Sequence, residues 1–278
     1  MAKAEMRMTE GPIAKQLVSF AIPLFLGFLF QQLYNTADAL IVGNLLGNSA
    51  LAAVTGTGTL IFLLVGFFGG ISMGAGVVVS RFFGSREVEK MRAAIHTNIA
   101  FGMAAGVFLT VVGMLFTPQI LQWMGTPEDV IDLAVLYLRI YLLGMPCIML
   151  YDFGASILRS TGDSKRPLYA LIAAGIINTI LNLILVISFG MGVSGVAIAT
   201  VISNMVSSGI VLYILLHEQE PIRVELKQLS IVPKELKKIL MIGIPAGLQG
   251  MMFSIANVCI QSAINSFGSN AIAGSAAA

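Results

Sequence analysis

Asp38 is the residue on which any chemistry in this sequence turns, because it is a carboxylate inside a stretch, Ile22 to Gly43, apolar enough to cross a bilayer. Gln31, Asn35 and Asp38 follow one another at i, i+4 and i+7, so on a helix they form one stripe with Tyr34 beside it. That stripe cannot face lipid. An aspartate at the centre of a span costs about 2.5 to 3.5 kcal/mol on insertion scales, so it turns toward a bundle interior or a watery cavity. The bland alternative is that Asp38 only hydrogen-bonds neighbouring helices, a task a neutral Asn or Ser performs at lower cost.

Further polar groups collect later in the chain. Asn178 and Asn182 stand at i, i+4 and share a helix face, and Thr200, Ser203, Asn204 and Ser207 make another polar stripe. Together with Asp38 they offer a carboxylate, amide carbonyls and hydroxyls around a single cation or proton. Oxygen ligands suit a hard ion such as Na+, and a carboxylate withdrawn from water can take a proton instead. The alternative is that these amides and hydroxyls only join helices. It is the preferred reading for Ser203 and Ser207, and both readings stand for Asn178 and Asn182. Asp132 with Arg139, and Asp152 with Arg159, are each seven apart and read as structural pairs, with Arg139 snorkelling to the outer interface. No glycine-rich phosphate loop, paired-histidine motif or nucleophile with a base is visible, so neither enzyme activity nor a cofactor is expected. Cys147 and Cys259 lie in apolar segments and read as packing residues, and His96 and His217 are too far apart to suggest a metal pair.

The elements that must position these groups are membrane spans. Of the 278 residues, 57% are hydrophobic and 11% charged, less than half the roughly 25% charge of a soluble domain. Runs of about twenty apolar residues place seven spans at 13–46, 51–83, 92–117, 128–158, 166–189, 193–216 and 234–267, with the start of an eighth behind them. Thr117-Pro118 and Gly125-Thr126-Pro127 are among the turn signals that separate them. Gly66, Gly70 and Gly74 repeat every four residues in the second span, as do Gly102 and Gly106 in the third, and such faces let helix backbones approach.

Charge then sets direction. Of the sixteen Lys and Arg residues only Arg139 falls outside the N-terminus and the loops after the second, fourth and sixth spans. The positive-inside rule puts the N-terminus, with Lys3, Arg7 and Lys15, in the cytoplasm. The longest and most polar loop, 217–233, reads as a linker between a six-helix lobe at 1–216 and the incomplete start of a second lobe at 234–278. Lys15, Ile22, Pro23 and Asn35 recur as Lys237, Ile244, Pro245 and Asn257 at one constant offset, which suggests a parallel repeat. A second copy as long as the first would run far beyond residue 278, so a piece of a twelve-helix protein is expected, with a natural seven-helix protein as the alternative.

Several runs in sequence order resemble the multidrug and toxic compound extrusion (MATE) family, in the bacterial branch that holds the DNA-damage-inducible F-like proteins. They are Ile22-Pro23, the segment Asp38 to Gly43, Gly47 with Ala50 to Val54, Tyr137 to Ile140 with Gly144 and Pro146, and Arg159 to Lys165. The resemblance implies an all-α, twelve-helix exporter of two six-helix lobes in the bacterial inner membrane, monomeric and without nucleic-acid partners. It would exchange inward-moving Na+ or H+ for small organic, often cationic, compounds among the membrane lipids. It further implies that Asp38 couples the ion, with Asn178, Asn182 and Thr200 as partners, a possible Na+ at Asp38, and Gln31, Tyr34, Asn35 and Asn204 as polar cavity residues. Relatives often carry an aspartate where Asn182 stands, which leaves Asp38 as the deep carboxylate of the lobe. A flippase for lipid-linked sugars is the alternative; it would need several cationic groups in the lobe cavity, and away from their ends the predicted spans hold only Arg139.

Overall fold

The computed structural model describes residues 13–268, 271–272 and 274–275. The expectations placed on Lys3 and Arg7 lie outside these, as does most of the eighth span; its four described residues, Ala271, Ile272, Gly274 and Ser275, are helical. All regular structure among the described residues is helical: α1 (Ile13–Leu46), α2 (Asn48–Gly84), α3 (Val88–Trp123), α4 (Glu128–Leu143), α5 (Met145–Ser160), α6 (Lys165–Leu183), α7 (Gly192–Leu216) and α8 (Pro233–Asn265). A π-helical turn, Ile184–Ser188, extends α6, and a short 3₁₀ turn, Leu226–Gln228, lies between α7 and α8. Among the described residues six helices are long and apolar enough to cross a bilayer, and α4 with α5, taken as one span bent by 48°, makes a seventh crossing. The chain is thus a multi-pass membrane protein.

Two of the predicted spans are corrected. The third does not end at Thr117; α3 starts four residues earlier than predicted and runs through Pro118 to Trp123. A proline removes one ladder bond, which a bundle tolerates when neighbours hold the helix. Here Thr117 and Leu121 are buried on either side of Pro118. The fourth span is not continuous over 128–158 but breaks at Gly144. Pro146 has no N–H for the Leu142 carbonyl, and the Thr110 hydroxyl of α3 donates to that carbonyl instead, at 2.6 Å. A Cβ on Gly106 would lie 2.5 Å from Pro146 Cα, so α3 fits into the elbow only because that residue is glycine. Thr110→Val keeps the shape and removes the donor. It is expected to destabilise the protein by about 1 kcal/mol, as for other interhelical bonds in membranes, read as a lowered unfolding temperature in detergent.

Around this elbow α5 is the innermost helix, with Phe153, Ala155, Ile157 and Leu158 fully buried. It is fixed to α2 by reciprocal bonds: Ser72 Oγ donates to the Asp152 carbonyl at 2.9 Å, and Ser156 Oγ to the Ser72 carbonyl at 2.6 Å. α6 packs between α1 and α7. α8 lies along α2, where Gly70 and Gly74 meet Gly247 and Gly243 backbone to backbone.

The linker is docked rather than loose. His96 of α3 bonds the Arg92 carbonyl through Nδ1 (2.8 Å) and accepts the Glu225 N–H at Nε2 (3.1 Å). Thr97 donates to the Ser230 carbonyl and accepts the Val232 N–H, and Arg92 pairs with Glu225 at 2.7 Å. Val224 is 1% exposed. Two smaller expectations also change. Asp132 and Arg139 are both exposed and form no ion pair among the described residues, and Cys259 lies on the exposed side of α8 rather than in packing.

Candidate functional site

Helices α1, α2, α4, α5, α6 and α7 enclose a cavity of about 510 Å³, within the range of pockets that take drug-sized ligands. The polar stripe of α1 faces it: Gln31, Tyr34, Asn35 and Asp38 all line the wall, and Asp38 is only 9% exposed. α7 contributes Thr200, Ser203, Asn204 and Ser207 to the same wall. Ser203 and Ser207 do not join helices; each hydroxyl donates to a carbonyl of α7 itself, those of Thr200 (2.8 Å) and Asn204 (3.1 Å), the usual way a mid-helix serine satisfies its donor.

Three helices converge on Asp38. Asn182 Nδ2 of α6 donates to Asp38 Oδ1 at 2.6 Å and to Asn178 Oδ1 at 3.0 Å, and Asn178 Nδ2 donates to Thr200 Oγ1 at 3.3 Å. The Thr200 hydroxyl in turn donates to the Val196 carbonyl of α7 at 3.0 Å. Asn178 and Asn182 are 0% exposed and Thr200 2%. The i, i+4 spacing places the two amides one above the other on α6, and the π turn begins two residues beyond Asn182, a kind of helix irregularity frequent at functional sites.

The donations diverge from Asn182, to Asp38 on one side and through Asn178 to Thr200 on the other, and leave a remainder. Both amide hydrogens of Asn182 are used, whereas its Oδ1 is buried and has no partner. Among the described residues no lysine or arginine forms an ion pair with Asp38. The donor set at this point is therefore a carboxylate, two amide oxygens and a hydroxyl, with one neutral amide bonded to the carboxylate and no counter-charge beside it among the described residues. Such a set fits a hard monovalent cation or a proton, each of which removes the cost of an uncompensated buried charge.

Other lining residues escaped the sequence reading of the site. Tyr137 and Tyr141 of α4 lie one turn apart, with ring centroids 6.1 Å from each other, and give the wall an aromatic surface. Their i, i+4 spacing in an otherwise aliphatic span was the available signal. Asp152 and Arg159 of α5 also line the cavity. The expectation that Arg139 is the cation to consider is corrected: Arg139 is exposed, and Arg159 is the lysine or arginine on the cavity wall. It sits in the last turn of α5, beyond the predicted end of the span at 158.

Residues 23–184 match the family described as MatE. The chain is 35% identical over 274 residues to the probable multidrug resistance protein YoeA of Bacillus subtilis (strain 168), with 96% of the chain and 59% of that protein aligned. It is 25% identical to the multidrug export protein MepA of Staphylococcus aureus (strain NCTC 8325 / PS 47), over 95% of the chain and 58% of that relative. Among solved structures it superposes on an outward-facing multidrug resistance MATE family transporter of the MOP superfamily, with a TM-score of 0.86 and 27% identity over 97% of this chain and 60% of that one. On an inward-facing structure of the same description the TM-score is 0.82, with 28% identity over 92% and 60%. The chain spans about 59% of the length of YoeA.

Proposed function

Because this chain belongs to the MATE family of membrane transporters, we propose that it carries the ion-coupling and cargo-binding part of a secondary active multidrug antiporter. In this reading Na+ or H+ moves inward and small organic compounds, often cationic, move outward by alternating access. The observation that supports it is the environment of Asp38, a carboxylate that is buried on a cavity wall, held by the Asn182 amide and, among the described residues, joined to no basic side chain. An ion arriving there neutralises the carboxylate. Asp38, Asn178, Asn182 and Thr200 then favour a different packing of α1, and the acidic wall that attracted a cationic cargo loses its charge.

Cargo and ion thus compete for one negative charge, and that competition is what couples their movements. Gln31, Tyr34, Asn35 and Asn204 supply adaptable hydrogen bonds to the cargo, and the tyrosines of α4 supply stacking surface. The protein acts as a monomer in the bacterial inner membrane with its N-terminus in the cytoplasm, taking lipid as solvent and requiring neither nucleic acid nor an enzymatic step. A lipid-linked sugar pyrophosphate is a poor match for the cavity, whose charged lining among the described residues is two carboxylates, Asp38 and Asp152, against the guanidinium of Arg159.

The test is made in liposomes containing the purified protein and loaded with a fluorescent organic cation. A Na+ or proton gradient directed against the dye is expected to accelerate its loss severalfold over protein-free liposomes. Dye loss that ignores both gradients overturns the reading.

A further inference from the structure

The same cavity has charges that the ion site does not use. Asp152 and Arg159 stand seven residues apart on α5, two helical turns or about 10 Å along the axis, and both face the cavity that Asp38 lines. Arg159 belongs to the loop end of the bundle, one residue before α5 stops at Ser160, and Ser164 lines the cavity beside it. The backbone of α5 is fixed there by the Ser72 and Ser156 bonds to α2, so both side chains extend from a rigid base.

The two attract each other across the wall, but neither charge is closed by an ion pair. Among the described residues the two form no ion pair, the Asp152 carboxylate accepts no hydrogen bond, and Arg159 Nε is buried without an acceptor. What Arg159 does meet is the Tyr151 hydroxyl, which itself donates to the Pro167 carbonyl at 3.1 Å. The contrast with Arg166 is instructive: seven residues further on, that guanidinium is held by both Asp163 and Glu218. A structural pair on α5 would close in the same way. Two opposite charges left open on one cavity wall are instead complementary to a molecule that carries both signs. A guanidinium presents parallel N–H groups that take a carboxylate at two points, which gives geometric selection as well as attraction.

We propose that Arg159 and Asp152 form a second recognition point at the loop end of the cavity, at which Arg159 takes the carboxylate of an amphoteric cargo while Asp152 and Asp38 hold its cationic group. This rests on the cavity being the cargo site, as argued above, and gives the wall a means of telling a zwitterion from a simple cation. Arg159 is a specificity-determining residue under this assignment: it supplies no coupling, and it decides which organic cations the wall accepts.

The experiment uses a rhodamine carrying a free carboxyl group and the methyl ester of the same dye, which keeps the cation and lacks the carboxylate. Binding of each to the purified protein is measured by fluorescence polarisation. Arg159→Gln is expected to shift the ratio of the two dissociation constants about tenfold or more against the free acid. Arg159→Lys, which keeps the charge without the planar fork, is the second variant and should give a smaller shift in the same direction. An unchanged ratio in both variants overturns the assignment, whether because neither dye is affected or because both weaken alike. If neither dye binds the unmodified protein, the cargo reading of the cavity itself fails, and this assignment with it.

Discussion

Replacing Asp38 by asparagine is expected to abolish the proposed ion-driven export while leaving the fold at least as stable as before. The two halves of that expectation have separate causes. A carboxylate is the one group at the convergence of α1, α6 and α7 whose charge an ion can cancel. With asparagine there, Na+ and protons lose their differential affinity for the two packings of the helix, and a ligand that binds both states equally shifts nothing however abundant it is. Gradient-driven dye efflux should fall to the level of protein-free liposomes. Equilibrium dye binding should weaken and also stop responding to pH and to Na+.

Stability moves the other way. An aspartate deep in a span carries an insertion cost of about 2.5 to 3.5 kcal/mol, and asparagine fills nearly the same volume without the charge. The unfolding temperature in detergent should hold or rise. Undiminished efflux removes Asp38 from the mechanism. Lost efflux together with a large fall in unfolding temperature makes Asp38 a structural residue.

The largest loss of stability is expected at the seam between α2 and α8. A Cβ on Gly70 would lie 2.2 Å from the Gly247 nitrogen and 2.3 Å from its Cα, and one on Gly74 would lie 2.5 Å and 2.6 Å from the same atoms of Gly243. These are backbone atoms in the middle of two helices, so no side chain can turn aside and the helices must separate. Gly70→Ala is therefore expected to cost several kcal/mol, beyond the roughly 1 to 3 kcal/mol of ordinary overpacking, because the loss extends along the whole contact. Gly69 supplies the control. It lies in the same turn of α2 with nothing within 4 Å of its would-be Cβ, and alanine there should be neutral or stabilise by up to about 1 kcal/mol through helix propensity. Unfolding temperature and protease sensitivity of the α7–α8 segment report both. Equal behaviour of the two variants would mean that the seam contributes nothing specific.

The positions that reading the chain left unresolved share one physical character. The C-terminal end of α1 could be read directly because apolar length and glycine punctuation act within a single segment. The end of α3 and the break at Gly144 could not. A proline in a sequence looks like a stop, and whether it becomes one depends on a partner elsewhere, here the Thr110 hydroxyl that meets the Leu142 carbonyl across 32 positions. Asp38, Asn178, Asn182 and Thr200 stood out as polar residues misplaced in oil, a signal each carries alone, and the structure brings all four into one bonded chain. Asp152 and Arg159 are the converse case. Seven-residue spacing is the same for two charges that close on each other and for two that face an open cavity, and only the positions of α1, α6 and α7 distinguish them. The linker was legible as polar and long; that it is held down depended on His96 and Thr97, two polar residues whose partners lie more than a hundred positions away.

That attachment limits where the molecule can bend. A hinge requires slack, and between α7 and α8 there is little: Val224 is tied back to Leu215, Glu225 to Arg92 and His96, and Ser230 and Val232 to Thr97. The foot of α8 is in effect bolted to the body that contains α3. Any swing of α8 against that body must be taken up farther along, and the weakest rung is at Pro245, which deprives the Met241 carbonyl of its donor and has Gly243 and Gly247 on either side. The fulcrum would then lie inside the membrane, on a stretch of helix whose glycines meet another helix backbone to backbone.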